Sequence, residues 1–360
     1  MRPFAYQSPA SLDEALSLLP ADGWRGLEDG AARPLAGGTD LITLLKGGLA
    51  APLRLLDVKR LPDLPRGIVE GPDGLILGAL TTLAEVEQSP LLQERYPALA
   101  EAAALAATPQ LRNMATLGGN LLQRPRCWYY RHPHLDCWLK GGQDCPARDG
   151  QNQLHAIFHA PPEAPQGRQP QGQPQDRFAG APPESARCVA VHPSDPATAL
   201  QALGASVRLQ GKGGQRTLPL EQLFAPPTVE RRTETEVGAD ELLLDVHLPA
   251  LPPGTRSTYL KAMDRKVWAF ALVGVAAVVR LEGRRIVQAR ITLGGVANVP
   301  WQATAAERLL QGAEVDDALI ARAATAALEE AQPLQHNAYK VPLTTALVRR
   351  ALSVLTATAS

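Results

Sequence analysis

The chain has 360 residues with 45% hydrophobic content, enough for two or three compact units with buried cores. Thirty-six Lys and Arg balance thirty-six Asp and Glu, so a formal net charge of zero gives no electrostatic footprint for nucleic acid or an anionic membrane. The longest apolar run, residues 269–279, falls short of the roughly 18 residues a spanning helix needs, and Met1-Arg2-Pro3-Phe4 opens no apolar signal region. Ser11 to Glu14 reads as a capping box for a helix through Leu19, stopped by Pro20. Residues 53–58 and 74–79 read as buried strands, and Thr82 with Glu85 as a second capping box whose helix Pro90 interrupts. An alanine-rich helix over about 98–107 then leads to Thr108-Pro109.

Residues 160–183 are rich in Pro, Gln and Gly and nearly free of apolar side chains, so a mobile loop is expected there. A strand is predicted over 189–191. Ser194-Asp195-Pro196 then opens a helix ending near Gly204, and a hairpin turns at 211–214. The Pro-Pro and alternating charges of 225–240 mark a boundary. Beyond it, strands are expected at 242–248 and 257–261, then a long hairpin with arms 270–280 and 286–293 turning at Glu282-Gly283. Helices follow at about 303–310, 316–331 and 344–355. The division that results is 1–60, 61–225 and 240–357.

Two glycine turns stand out. Leu35-Ala36-Gly37-Gly38-Thr39-Asp40-Leu41 precedes a helical run, and Thr116-Leu117-Gly118-Gly119-Asn120 repeats the idea. Glycine lets backbone approach a ligand closely, and successive N–H groups in such turns form anion-binding nests. Together the turns could clamp one pyrophosphate from both sides. Neither is the dinucleotide fingerprint G-x-G-x-x-G, nor a P-loop.

The four cysteines, Cys127, Cys137, Cys145 and Cys188, all lie in the central third, separated by nine, seven and forty-two residues. Those spacings lack the C-x₂₋₄-C pairs usual for zinc, although His132 and His134 lie close by. An iron–sulfur cluster, zinc and unligated thiols or disulfides all remain compatible with the residues alone. No nucleophile elbow or zincin motif is present, so no substrate chemistry is visible.

The turns AGGTDL (36–41) and ATLGGNL (115–121), with Gln110-Leu111-Arg112-Asn113, Val191-His192-Pro193-Ser194-Asp195 and Leu293-Gly294-Gly295-Val296-Ala297, carry a resemblance over essentially the whole chain. It resembles the FAD-binding subunits of the molybdenum hydroxylase, or xanthine dehydrogenase, family. Within that family it is similar to the FAD and iron–sulfur subunits of bacterial aldehyde oxidoreductases, and less closely to that of 4-hydroxybenzoyl-CoA reductase.

The resemblance implies an α+β chain: a two-part FAD-binding α/β domain of the vanillyl-alcohol-oxidase (PCMH) type, then a C-terminal α+β domain of the CO dehydrogenase flavoprotein type. It implies that Leu35 through Leu41, Thr108, Asn113, Thr116, Gly118, Gly119, Asn120, Asp195 and Lys261 hold FAD. Asp195 also reads as a helix cap, Lys261 as a solvated strand end, and Arg112 as a surface charge. The same resemblance makes the four cysteines ligands of a 4Fe-4S cluster within an insertion over about 123–188. Trp128, Tyr129 and Tyr130 are candidates for stacking on a cofactor, with core packing as the competing role.

The implied function is electron transfer. A molybdenum-cofactor large subunit and a 2Fe-2S small subunit would deliver electrons to this chain, which would pass them to an external acceptor. The chain carries no nicotinamide fingerprint that would point to NAD as that acceptor. Competing readings are the FAD subunit of a xanthine dehydrogenase or 4-hydroxybenzoyl-CoA reductase type enzyme, a self-sufficient flavoenzyme with structural zinc, and a non-catalytic binding module. The expected compartment is the cytoplasm, or the periplasm by co-export with a signal-bearing partner.

Overall fold

A computed structural model describes residues 1–20, 32–159 and 187–357. The loop expected over 160–183 lies outside the described residues. The first unit is a three-stranded parallel sheet in the order Ala5–Gln7, Arg54–Asp57, Ala32–Leu35, with Leu35 opposite Asp57. Parallel strands need crossovers, and here these pass through the helices Leu12–Leu18 and Leu41–Lys46. Ser11 caps the former by accepting from Glu14 N. The Glu14 carboxylate reaches Ala10 N at 2.7 Å rather than the cap's own N–H, so only half of the expected box closes. At Thr82 both halves are present.

The second unit is a five-stranded antiparallel sheet in the order Ile68–Gly71, Gly74–Gly78, Leu242–Pro249, Ser206–Gly211, Gly214–Pro219. Leu242–Pro249 therefore sits in the middle of this sheet, although the sequence groups it with the C-terminal strands. A register shift at Arg208/Leu209 pairs Leu209 with Leu243. Leu243 joins Val246 in the main core, while Leu242 and Leu244 turn toward Leu56 and Val58 of the first unit. One strand thus packs against both units. The helices Leu83–Gln88, Pro90–Arg95, Pro97–Leu105 and Asp195–Ala202 cover the sheet. The strand expected at 189–191 does not form. That stretch runs as a loop held by Val189 O, which accepts from Ala156 N at 2.8 Å.

The C-terminal unit is an antiparallel meander of Thr255–Ala262, Val273–Glu282, Arg285–Gly294 and Trp301–Gln302, backed by the helices Thr304–Leu310, Asp317–Ala326 and Lys340–Thr356. Side chains alternate along Val273–Glu282 with the period of two expected of a strand. Val273, Val275, Ala277 and Val279 enter the C-terminal core, and Ala276 and Val278 the core of the second unit. Both faces are buried, which explains why this strand reads as a continuous apolar run. Among the described residues no helix is long and apolar enough to cross a membrane.

Candidate functional site

The strand Ala32–Leu35 ends in the first glycine turn, where Gly38 takes a φ of +74° that a side chain would oppose. Gly37 has a different constraint. A Cβ there would lie 1.7 Å from Met114 O, so only glycine lets this turn press against the backbone before the second one. Among the described residues, the N–H groups of Gly37, Gly38, Thr39 and Asp40 have no protein acceptor. Four consecutive unspent donors beside a cavity form an anion cradle. Asp40 does not cap its helix. Its Oδ2 accepts from Arg124 N at 2.9 Å, and its Oδ1 lies 2.8 Å from Arg131 and 2.9 Å from Arg126.

The second turn works otherwise. Thr116 caps the one-turn helix Leu117–Leu121 by accepting from Gly119 N at 3.2 Å. Leu117 N donates to Thr81 O at 2.7 Å and Gly118 N to Ala79 O at 2.9 Å. The nest expected here is therefore not formed, because its donors are consumed by the neighbouring loop. Gly118 serves close packing, since its Cβ would lie 3.0 Å from that of Ala79. Gly119 is exposed and would meet only Thr116 Oγ1.

Between the turns lies a cavity of about 190 Å³. Ala36 to Leu41 form one wall, Thr116, Gly118 and Gly119 another, and residues 233–243 a third. Sequence reasoning missed that third wall, which falls largely within the stretch read as a boundary. Glu234, on this wall, is 4% exposed. Its Oε2 pairs with Arg124 at 2.7 Å, while among the described residues its Oε1 is buried without a hydrogen-bond partner. Burial pushes its carboxyl above the usual range, against the pull of Arg124. Arg124 also donates to Tyr130 OH at 2.7 Å and to Arg232 O at 3.0 Å.

Leu35, Thr108, Asn113, Asn120, Asp195 and Lys261 do not line this cavity. Leu35 is in the core behind it. Thr108 caps the short helix Pro109–Arg112, and exposed Asn113 ends it. Asn120 Oδ1 accepts from Ser194 Oγ at 2.5 Å. Ser194, not Asp195, is the cap of the helix Asp195–Ala202. Asp195 instead receives Lys261 Nζ at 2.8 Å and the Tyr259 hydroxyl, so Lys261 is not a solvated strand end. Burial raises the Asp195 carboxyl, with Lys261 opposing, and lifts the Tyr259 hydroxyl well above its ordinary value. Arg112 is no surface charge. It is buried in a two-armed pair with Glu87 at 2.7 and 3.1 Å.

The cysteine-bearing segment packs on the first unit, with Cys137, Trp138, Tyr130 and Cys188 against Leu35, Leu44 and Leu55. Tyr130 is core, while Trp128 and Tyr129 flank His155. All four cysteines are free thiols. Burial pushes Cys127 up to about 12, and the neighbouring Cys137 and Cys145 add to the rise. Burial likewise lifts Cys188 well above its ordinary value, with Cys145 and Cys127 contributing. Cys127 and Cys145 therefore each stand within electrostatic reach of the other three thiols, although 42 residues separate Cys145 from Cys188 in sequence. Among the described residues no group of three or more His, Cys, Asp or Glu is arranged to hold a metal ion. His132 and His134 are exposed and face each other, 5.9 Å between ring centroids.

A glycine-walled cavity with unspent N–H donors, lined by the parallel and the antiparallel unit, has the form of an anion-binding site. Residues 2–251 match the FAD binding domain in molybdopterin dehydrogenase, and residues 258–355 the CO dehydrogenase flavoprotein C-terminal domain. The chain belongs to the FAD-binding subunits of the molybdenum hydroxylase family of oxidoreductases. It is 34% identical to the aldehyde oxidoreductase FAD-binding subunit PaoB of Escherichia coli, over 87% of each chain. It is 29% identical to the carbon monoxide dehydrogenase medium chain of Hydrogenophaga pseudoflava, over 97% of this chain and 96% of that one. The reconstituted CO dehydrogenase from Oligotropha carboxidovorans superposes with a TM-score of 0.72 at 25% identity, over 99% of both chains.

Proposed function

We propose that this chain is the electron-transfer subunit of a heteromeric molybdenum-containing aldehyde oxidoreductase, carrying FAD in the glycine-walled cavity and a 4Fe-4S cluster on Cys127, Cys137, Cys145 and Cys188. The observation that carries the FAD placement is the row of unspent N–H groups from Gly37 to Asp40, which suits a pyrophosphate. The cluster reading is supported by four free thiols, of which Cys127 and Cys145 each lie within electrostatic reach of the other three. The donor set suits the cluster, since the four thiols match the four thiolates that a 4Fe-4S centre takes. The likeness to the aldehyde oxidoreductase subunit favours an aldehyde as the substrate of the complex.

A bound flavin supplies exchange between one-electron and two-electron partners. The chain's own residues bind and join the centres. Arg124 borders the cavity, pairs with Glu234 and lies within electrostatic reach of Cys188, so one buried cation adjoins the proposed FAD site and acts on a proposed cluster ligand. Substrate oxidation would occur on a molybdenum large subunit, with a 2Fe-2S small subunit between, and an external acceptor would take the electrons.

The test is chemical analysis of anaerobically prepared protein. The proposal expects one FAD and about four iron and four sulfide per chain, with aldehyde oxidation only after the partner subunits are added. Zinc in place of iron, or substantial aldehyde turnover by the molybdenum-free chain, would refute it.

A further inference from the structure

Outside the cofactor cavity, one buried side chain points at a proposed cluster ligand. His155 Nε2 lies 3.1 Å from Cys127 Sγ, within hydrogen-bond reach for sulfur. The residue is 2% exposed, and among the described residues Nδ1 is buried without a hydrogen-bond partner. Among the described residues, the contact with Cys127 is the one side-chain hydrogen bond of this imidazole.

Its placement is over-determined. His155 N donates to Asn152 O at 3.0 Å, and His155 O accepts from Lys340 Nζ at 2.9 Å and Asn337 Nδ2 at 3.2 Å. Lys340 is wholly buried and also donates to Gly295 O at 2.7 Å, which ties this loop to the C-terminal unit. The Trp128 ring meets the imidazole edge-on, 5.3 Å between centroids. Backbone anchors behind and an aromatic ring beside it fix the direction of Nε2.

We infer that His155 is a positioning residue that donates its Nε2–H to the Cys127 thiolate and raises the reduction potential of the cluster held there. The inference rests on the cluster reading above. A metal-bound thiolate has no proton to give, so in this contact the imidazole must be the donor. Reduction adds one electron to the cluster, and that charge spreads onto the ligand sulfurs. A donor aimed at one sulfur thus stabilises the reduced form more than the oxidised one.

The test compares full-length wild-type, His155→Gln and His155→Leu proteins, prepared anaerobically and assayed for FAD, iron, sulfide and midpoint potential by EPR-monitored titration. Expected is a full cluster in all three. In His155→Leu the oxidised-to-reduced ratio at a fixed potential rises about tenfold, equivalent to a midpoint about 59 mV lower for one electron. His155→Gln, which keeps an N–H donor, restores most of that shift. An unchanged midpoint in a cluster-bearing His155→Leu protein would overturn the inference. So would loss of iron from both variants with wild type intact, since His155 would then be needed for assembly. Wild-type protein without iron and sulfide is a separate failure, of the cluster reading itself.

Discussion

Lys261 Nζ donates to Asp195 Oδ2 at 2.8 Å, with both side chains at most 6% exposed. The pair joins the helix Asp195–Ala202 of the second unit to the strand Thr255–Ala262 of the third, and Lys261 adds a bond to Leu105 O at 2.9 Å. Ser257, Tyr259 and Lys261 alternate onto the same face of that strand, and all three bond to the second unit. An ion pair so placed fixes how the C-terminal unit sits on the cofactor-binding part.

Removing one partner strands the other charge away from water. Asp195→Ala and Lys261→Met should each destabilise the chain by about 3–5 kcal/mol, and the double variant by clearly less than the sum. Urea unfolding of the four proteins measures the coupling. Additive losses would mean that the two charges do not compensate each other.

Lys340 is a buried amine without a carboxylate partner among the described residues, and burial lowers it to about 7. Between that value and its ordinary 10.5, the unfolded chain holds a proton that the folded chain lacks. Its contribution to stability therefore increases as pH rises through this window. From pH 7 to pH 9, wild type should gain about 2 kcal/mol relative to Lys340→Met, since each pKa unit is worth about 1.36 kcal/mol. Urea unfolding at the two pH values checks this, and a pH-independent difference would contradict it.

Gly37→Ala should disrupt the contact between the two turns. The added Cβ would overlap Met114 O, and backbone on both sides must part. A loss of about 1–3 kcal/mol in stability is expected, together with reduced flavin content. Thermal melting and flavin absorbance report the two effects, and a fully stable, fully FAD-loaded Gly37→Ala protein would contradict the packing argument.

Local features were legible in the sequence because their causes are local. Ser11 and Thr82 each cap a helix within three residues of the N–H they accept, and the glycine turns announce themselves, although the cap read for Asp195 falls one residue earlier, on Ser194. Relationships set by the tertiary fold were not. The donors of the second turn are consumed by Ala79 and Thr81, far upstream, which no pattern around Gly118 reveals. Arg124 and Glu234 are 110 residues apart, and the boundary-like composition around Glu234 hides a cavity wall. The strand Leu242–Pro249 looks the same whichever sheet it joins, and only its pairing with Gly74–Gly78 and Ser206–Gly211 assigns it. Asp195 and Lys261 were singled out separately, while their direct pairing depends on how two units dock.

Gly119 gives the most direct test of the central claim, that FAD lies between the two turns. Unlike Gly37, it opposes no backbone, and its added Cβ would meet only Thr116 Oγ1 at 2.9 Å. Valine there should leave the fold in place and project bulk into the cavity. The measurement is FAD retained per chain after desalting, with circular dichroism as the check on folding. The account predicts a folded Gly119→Val protein whose FAD affinity has dropped at least about tenfold, some 1.4 kcal/mol. A folded Gly119→Val protein that retains FAD at the wild-type level would contradict it.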